Sequence, residues 1–143
     1  MFANNSSLVT APYLRATTLS NYSYQTMFMN CTSLVNVQSE LPVTTLGVNC
    51  CRQMYQGCSK LTTAPALLAE TLVTNCYYRM FYNCSKLNYI KAMFTTTPST
   101  TYCNNWVNGV KATGTFVKNS AATWNVTGTS GVPSGWTVQT ASS

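Results

Sequence analysis

The chain has 143 residues, enough for one domain with a modest core, and 45% of them are hydrophobic. Only 7% are charged, against roughly 25% in an average soluble domain, so the polar surface rests on Thr, Ser and Asn. The net charge of +6 is spread thinly over eight basic residues with no basic run, which argues against nucleic acid as a partner, and no apolar stretch reaches the roughly 18 residues of a membrane span.

Repetition begins at the first residue. "MFANNSSL" at Met1 returns as "MFMNCTSL" at Met27, "MYQGCSKL" at Met54 and "MFYNCSKL" at Met80, at spacings of 26, 27 and 26. A degenerate fifth copy, "WVNGV", starts at Trp106. Leu8, Leu34, Leu61 and Leu87 keep step seven residues after each Met, Leu14, Leu41 and Leu67 form a second ladder, and Leu19, Leu46 and Leu72 a third. A leucine ladder with a period of roughly 20–29 residues is the mark of a leucine-rich-repeat solenoid. The expected architecture is an α/β repeat solenoid: a leucine-rich-repeat coil with a short parallel sheet, short helices on the other side and a small C-terminal β cap. Residues 1–105 form the repeats, and 106–143 the degenerate last repeat and the cap. The one extra residue of the second repeat is expected to be absorbed as a bulge or loop at Asn36–Glu40.

Within each repeat the Leu opens a short alternating segment: "LVTA" at Leu8, "LVNV" at Leu34, "LTTA" at Leu61 and "LNYI" at Leu87. These are predicted strands, stacked in parallel at about 4.8 Å per layer. Pro12 and Pro65 are expected to end their strands, because proline cannot donate to the ladder. "TTLSNYSYQTMF" (17–28), "TTLGVNCCRQMY" (44–55) and "ETLVTNCYYRMF" (70–81) are predicted short helices. In the last, Leu72, Cys76 and Met80 recur at i, i+4 and i+8, the spacing of one helical face. Thr17, Thr44 and Thr71 stand as N-caps, and Asn30, Gly57 and Asn83 suit a left-handed residue at the C-terminal end.

The seven cysteines follow the repeat. Cys31, Cys58 and Cys84 lie four residues after a repeat Met, and Cys50 and Cys76 four before one. They read as inward-facing thiols that pack like small hydrophobes. The alternative, disulfides, leaves one thiol over from an odd count. A zinc site would need paired ligands such as C-x-x-C, and the chain has neither that spacing nor a histidine. No metal and no cofactor are expected.

From Met93 the repeat decays. Gly114–Thr140 reads as a cap, a hairpin or antiparallel extension that buries Phe116, Trp124, Val126, Trp136 and Val138 and closes the last apolar layer. The alternative leaves Trp124 and Trp136 exposed as ligand platforms. Met1 starts inside a repeat without a leading strand, so an upstream part or another chain is expected to cover that end. No charged segment followed by an apolar one marks a signal peptide.

The corner and the segment before it resemble the BspA-type leucine-rich repeats of bacterial surface proteins. The family corner reads A-F-x-x-C-x-x-L; Met54-Tyr55 through Cys58 to Leu61, and Met80-Phe81 through Cys84 to Leu87, match it with Met for Ala. The resemblance covers Met1 to about Ile90, and the first copy departs from it with Asn5 in the cysteine's place. It implies an extracellular adhesion or recognition module, of a kind also found in phage fibre-like proteins, with no shared catalytic residues.

Catalysis is not expected. There is no histidine to act as general base. The two carboxylates, Glu40 and Glu70, fall in different registers, Glu40 aligning with Ala66 and Glu70 with Thr44. Two functions stand as expectations. One is a non-catalytic extracellular module that binds a protein or glycan on a cell surface through a Tyr/Asn/Thr-rich face, a chemistry like that of antibody paratopes. Its candidate residues are Tyr13, Asn36, Gln38, Lys60, Lys86, Asn88 and Lys91, with Lys60 and Lys86 in one register as a basic stripe or as plain solvated surface. The other is a structural subunit of a phage fibre or virion decoration, a homo-oligomer or part of a larger assembly, joined through its uncapped N-terminal coil. Either places the protein outside the cell, at a cell surface or on a virion.

Overall fold

A computed structural model describes residues 1–141. Strands β1 (Glu40–Leu41), β2 (Ala66–Leu67), β3 (Tyr89–Ala92), β4 (Thr115–Lys118) and β5 (Thr137–Thr140) form one parallel sheet in chain order. The one helix among the described residues, α1 (Thr100–Cys103), lies between β3 and β4, and the Ser99 hydroxyl caps it by accepting from the Thr101 amide. The sheet register follows the sequence period: Glu40 faces Ala66, Leu41 faces Leu67, and Tyr89 faces Thr115. Of the four predicted strands only the one at Leu87 is found, as β3; those at Leu8, Leu34 and Leu61 are reduced to the single bridges Thr10–Asn36 and Thr63–Tyr89, and β1 and β2 lie beyond them at the second leucine ladder. Pro65 does not end a strand; it stands between the Thr63–Tyr89 bridge and β2.

The predicted helices at 17–28, 44–55 and 70–81 are not helices. Alternate amides in these segments close tight turns three residues back, as from Ser23 to Ser20 and Met27 to Tyr24. The amides between them cross to the next repeat, Tyr22 to Val48, Tyr24 to Cys50 and Thr26 to Arg52. Every fourth residue takes positive φ: Tyr22, Thr26 and Asn30, then Asn49, Gln53 and Gly57, then Asn75, Arg79 and Asn83. A left-handed residue at each fourth position cannot continue a right-handed helix. The expected left-handed Asn30, Gly57 and Asn83 are thus found, but as links in a run of turns. The threonine caps are also replaced: the Thr44 amide bonds to the Thr17 carbonyl of the previous repeat.

The core runs along the repeat axis. Phe2, Phe28, Tyr55 and Phe81 stack at centroid separations of 5.6, 5.5 and 5.7 Å with nearly parallel planes. Leu34, Leu61 and Leu87 lie fully buried among the core residues. All seven cysteines are buried and unbridged. The corner position of Cys31, Cys58 and Cys84 has a specific cause. The carbonyls of two stacked aromatics accept both the amide three residues on and the thiol of the next repeat: Phe28 O takes Cys31 N and Cys58 Sγ, and Tyr55 O takes Cys58 N and Cys84 Sγ, the thiols at 3.1 Å. The thiol therefore satisfies a carbonyl lone pair inside the core, where leaving it unpaired would be costly.

The C-terminal segment differs from the expected antiparallel cap. β5 pairs with β4 in parallel, Thr115 against Thr137, and residues 119–136 are long enough to carry the crossover that parallel pairing requires. Phe116, Trp124 and Trp136 are buried as expected, while Val126 is partly buried and Val138 is 49% exposed on the edge strand. Trp124 and Trp136 are not ligand platforms, since their indole N–H groups donate inward to the Phe94 and Lys111 carbonyls.

Candidate binding surface

The ladder that begins with Thr10 and Asn36 carries two open grooves. The larger, about 540 Å3, is lined by Thr63, Asn88, Tyr89, Lys111, Thr113, Gly114 and Thr115. The second, about 300 Å3, is lined by residues 35–39 and 62–64. Thr63 belongs to both, so the two grooves meet. Their polar walls are hydroxyls, amides, one phenol and one ammonium, without a carboxylate side chain, and Val35, Val37 and Ala64 add apolar surface to the second.

Local sequence builds the floor of the larger groove. A Cβ on Gly114 would lie 2.6 Å from the Asn88 carbonyl oxygen and 2.7 Å from the Trp136 ring, so only glycine lets the chain pass there. The Gly114 carbonyl accepts the Thr137 amide, which ties the groove floor to β5. In the second groove, Asn36 Nδ2 donates to Thr10 Oγ1 at 3.0 Å, tying the amide to the previous repeat.

The expected site residues separate into three groups. Asn36, Gln38 and Asn88 line the grooves. Gln38 is also a structural clamp: its Oε1 accepts the Leu14 amide at 2.7 Å and its Nε2 donates to the Leu14 carbonyl at 2.8 Å. Lys60 and Lys86 are exposed, Lys91 is half-buried on β3, and none of the three lines either groove. Tyr13 is 64% exposed, away from both grooves, with the Arg15 guanidinium 5.5 Å from its ring centre. Sequence reasoning missed Thr63, Tyr89, Lys111, Thr113, Gly114 and Thr115. Tyr89 and Thr115 could have been found, since both stand in the ladder register of Thr63.

Six of the seven buried thiols have raised pKa values, chiefly by burial or, for Cys51, by its hydrogen bond with Cys50, while Cys50 is lowered by that same hydrogen bond. Burial pushes Cys58 and Cys76 up to about 12, and raises Cys84 and Cys103 well above the usual thiol range. Thiolate, the nucleophilic form, is thereby disfavoured. Glu40 and Glu70 are exposed, and Glu40 faces Ala66 as the register implied.

Comparison with protein-family models, with curated proteins and with solved structures found no match.

Proposed function

We propose that this chain is a leucine-rich-repeat solenoid of the BspA-like kind that acts as a non-catalytic extracellular recognition module. It binds a protein or glycan surface along the strand ladder. The observation that carries this reading is the pair of joined grooves whose polar walls are mostly neutral hydrogen-bonding groups, with Asn36 and Asn88 one in each and Lys111 as the one charge. Amides, hydroxyls and a phenol at fixed spacing suit hydroxyl-rich or peptide partners, for which orientation matters more than charge. The test is a glycan array and a cell-binding assay with the chain and with its Asn36→Ala and Asn88→Ala variants. We expect a saturable ligand whose binding weakens about 5- to 30-fold in each variant, the loss of about 1–2 kcal/mol in hydrogen bonding. Unchanged binding in both variants would move the site elsewhere.

A second reading, a subunit of a phage fibre or virion decoration, is favoured by one observation. Leu8 and Leu14 are only partly buried, whereas their repeat equivalents Leu34 and Leu41 are buried, and Met1 is 91% exposed. In this reading the first layer packs on another copy. A closed oligomer by light scattering in reducing buffer would support it, and a monomer would leave the recognition reading.

A further inference from the structure

The run of turns carries a cationic cluster that shares no residue with the grooves. The Arg52 guanidinium lies 4.4 Å from the centre of the Tyr78 ring, and the Arg79 guanidinium 5.3 Å from the same ring and 4.9 Å from Tyr82. The repeat brings them together: the Gln53 amide bonds to the Tyr78 carbonyl of the next repeat. Arg79 is held from behind by its amide, which donates to Asn104 O, and by its positive φ of 47. Arg52 Nε donates to Gln53 Oε1 at 3.4 Å, and Gln53 Nε2 donates to Gln56 Oε1. Arg79 Nε is buried and has no partner. Among the described residues neither arginine forms an ion pair, and the acidic side chains of the whole chain are only Glu40 and Glu70.

Two guanidinium groups on one ring repel each other, and a buried N–H without an acceptor costs free energy. An oxyanion relieves the repulsion, taking a forked pair of hydrogen bonds from the terminal nitrogens of a guanidinium, while the buried Arg79 Nε stays out of its reach. The neighbouring groups are neutral donors and acceptors, the Gln56 amide and the Tyr78 and Tyr82 phenols, which match sugar hydroxyls better than a peptide backbone. We infer that Arg52 and Arg79, set on Tyr78 and Tyr82, bind the sulfate or carboxylate group of an acidic sugar.

The chain has three arginines, Arg15, Arg52 and Arg79, so the Nε–Hε region of a proton–nitrogen spectrum holds three signals and Arg15 is an internal control. The titrants are a sulfated uronate disaccharide, inorganic sulfate, a neutral disaccharide and tetraglutamate. We expect the acidic disaccharide to move the Arg52 and Arg79 signals saturably and to leave Arg15 in place, with a midpoint about tenfold below that of inorganic sulfate. The neutral disaccharide should move none. Arg52→Gln should abolish the response with the backbone spectrum intact. Arg52→Lys should weaken it, because an ammonium keeps the charge and loses the fork. Parallel movement of all three signals, no movement, or an equal midpoint for inorganic sulfate would overturn the inference. Tighter binding of tetraglutamate would overturn it in favour of an acidic peptide.

Discussion

Asparagine and cysteine carry the most information here. Asn30, Asn49, Asn75, Asn83 and Asn105 all sit at positive φ, a conformation asparagine tolerates better than most side chains. Asn83 has φ of 60, its amide bonds to Asn108 O, and its side chain is exposed. Asn83→Ala is therefore expected to lower stability by about 1–2 kcal/mol, while Asn83→Gly should change it far less. Urea unfolding checks this: the alanine midpoint should fall at unchanged slope. The cysteines at the corners act through their hydrogen bonds to carbonyls, which is why Asn5, in the first copy, can stand in the same place. The Asn5 amide still closes the turn onto Phe2 O, and that carbonyl's second partner is Cys31 of the next repeat.

Elements were legible where the residue pattern has one physical solution. The Leu ladders, the corner and the parallel sheet register could be read because each step of about 26 residues brings like onto like. The wall of turns could not. Its four-residue turn period places Leu72, Cys76 and Met80 on one buried side, and over three positions a period of 4 cannot be told from 3.6. The fifth strand was hidden because β4 to β5 steps by 22 residues, from Thr115 to Thr137, rather than 26. In the candidate site, Asn36 and Asn88 could be read from their register, but Gly114 and Lys111 enter the groove from the degenerate repeat, where the 26-residue step persists, Tyr89 against Thr115, but the residue types no longer match. The Gln38 clamp belongs to this scale. The second repeat's extra residue interrupts backbone pairing, and the Gln38 amide stands in for a peptide group toward Leu14. Gln38→Ala leaves both Leu14 groups without their partner and should cost about 1–3 kcal/mol. Hydrogen exchange at the Leu14 amide should then accelerate more than at Cys51 or Tyr77.

At the scale of the whole molecule, buried neutral groups set the pH response. Cys58 and Cys76 rise from the ordinary 9.0 to about 12, and burial likewise raises Tyr55 and Tyr77. Folding thus holds these groups protonated, whereas the unfolded chain releases their protons from about pH 9 upward. Their contribution is fully present below that pH and is lost as the pH climbs toward the folded values. The melting temperature should fall steadily above about pH 9, and Cys58, Cys76, Cys84 and Cys103 should resist alkylation at neutral pH until denaturant is added. A flat profile to pH 11 would mean that the thiols are not buried as described.

The central claim is that amides of the turn segments bond from one repeat to the next rather than within a helix, because that wall holds the strand ladder, the grooves and the arginine cluster in register. Couplings measured by NMR across hydrogen bonds, from amide nitrogen to carbonyl carbon, test it directly. The expected pairs are Tyr24 with Cys50, Cys51 with Cys76, and Tyr77 with Tyr102. Couplings instead from Tyr24 to Ser20 and from Tyr77 to Val73, the four-residue step of an α-helix, would contradict the account.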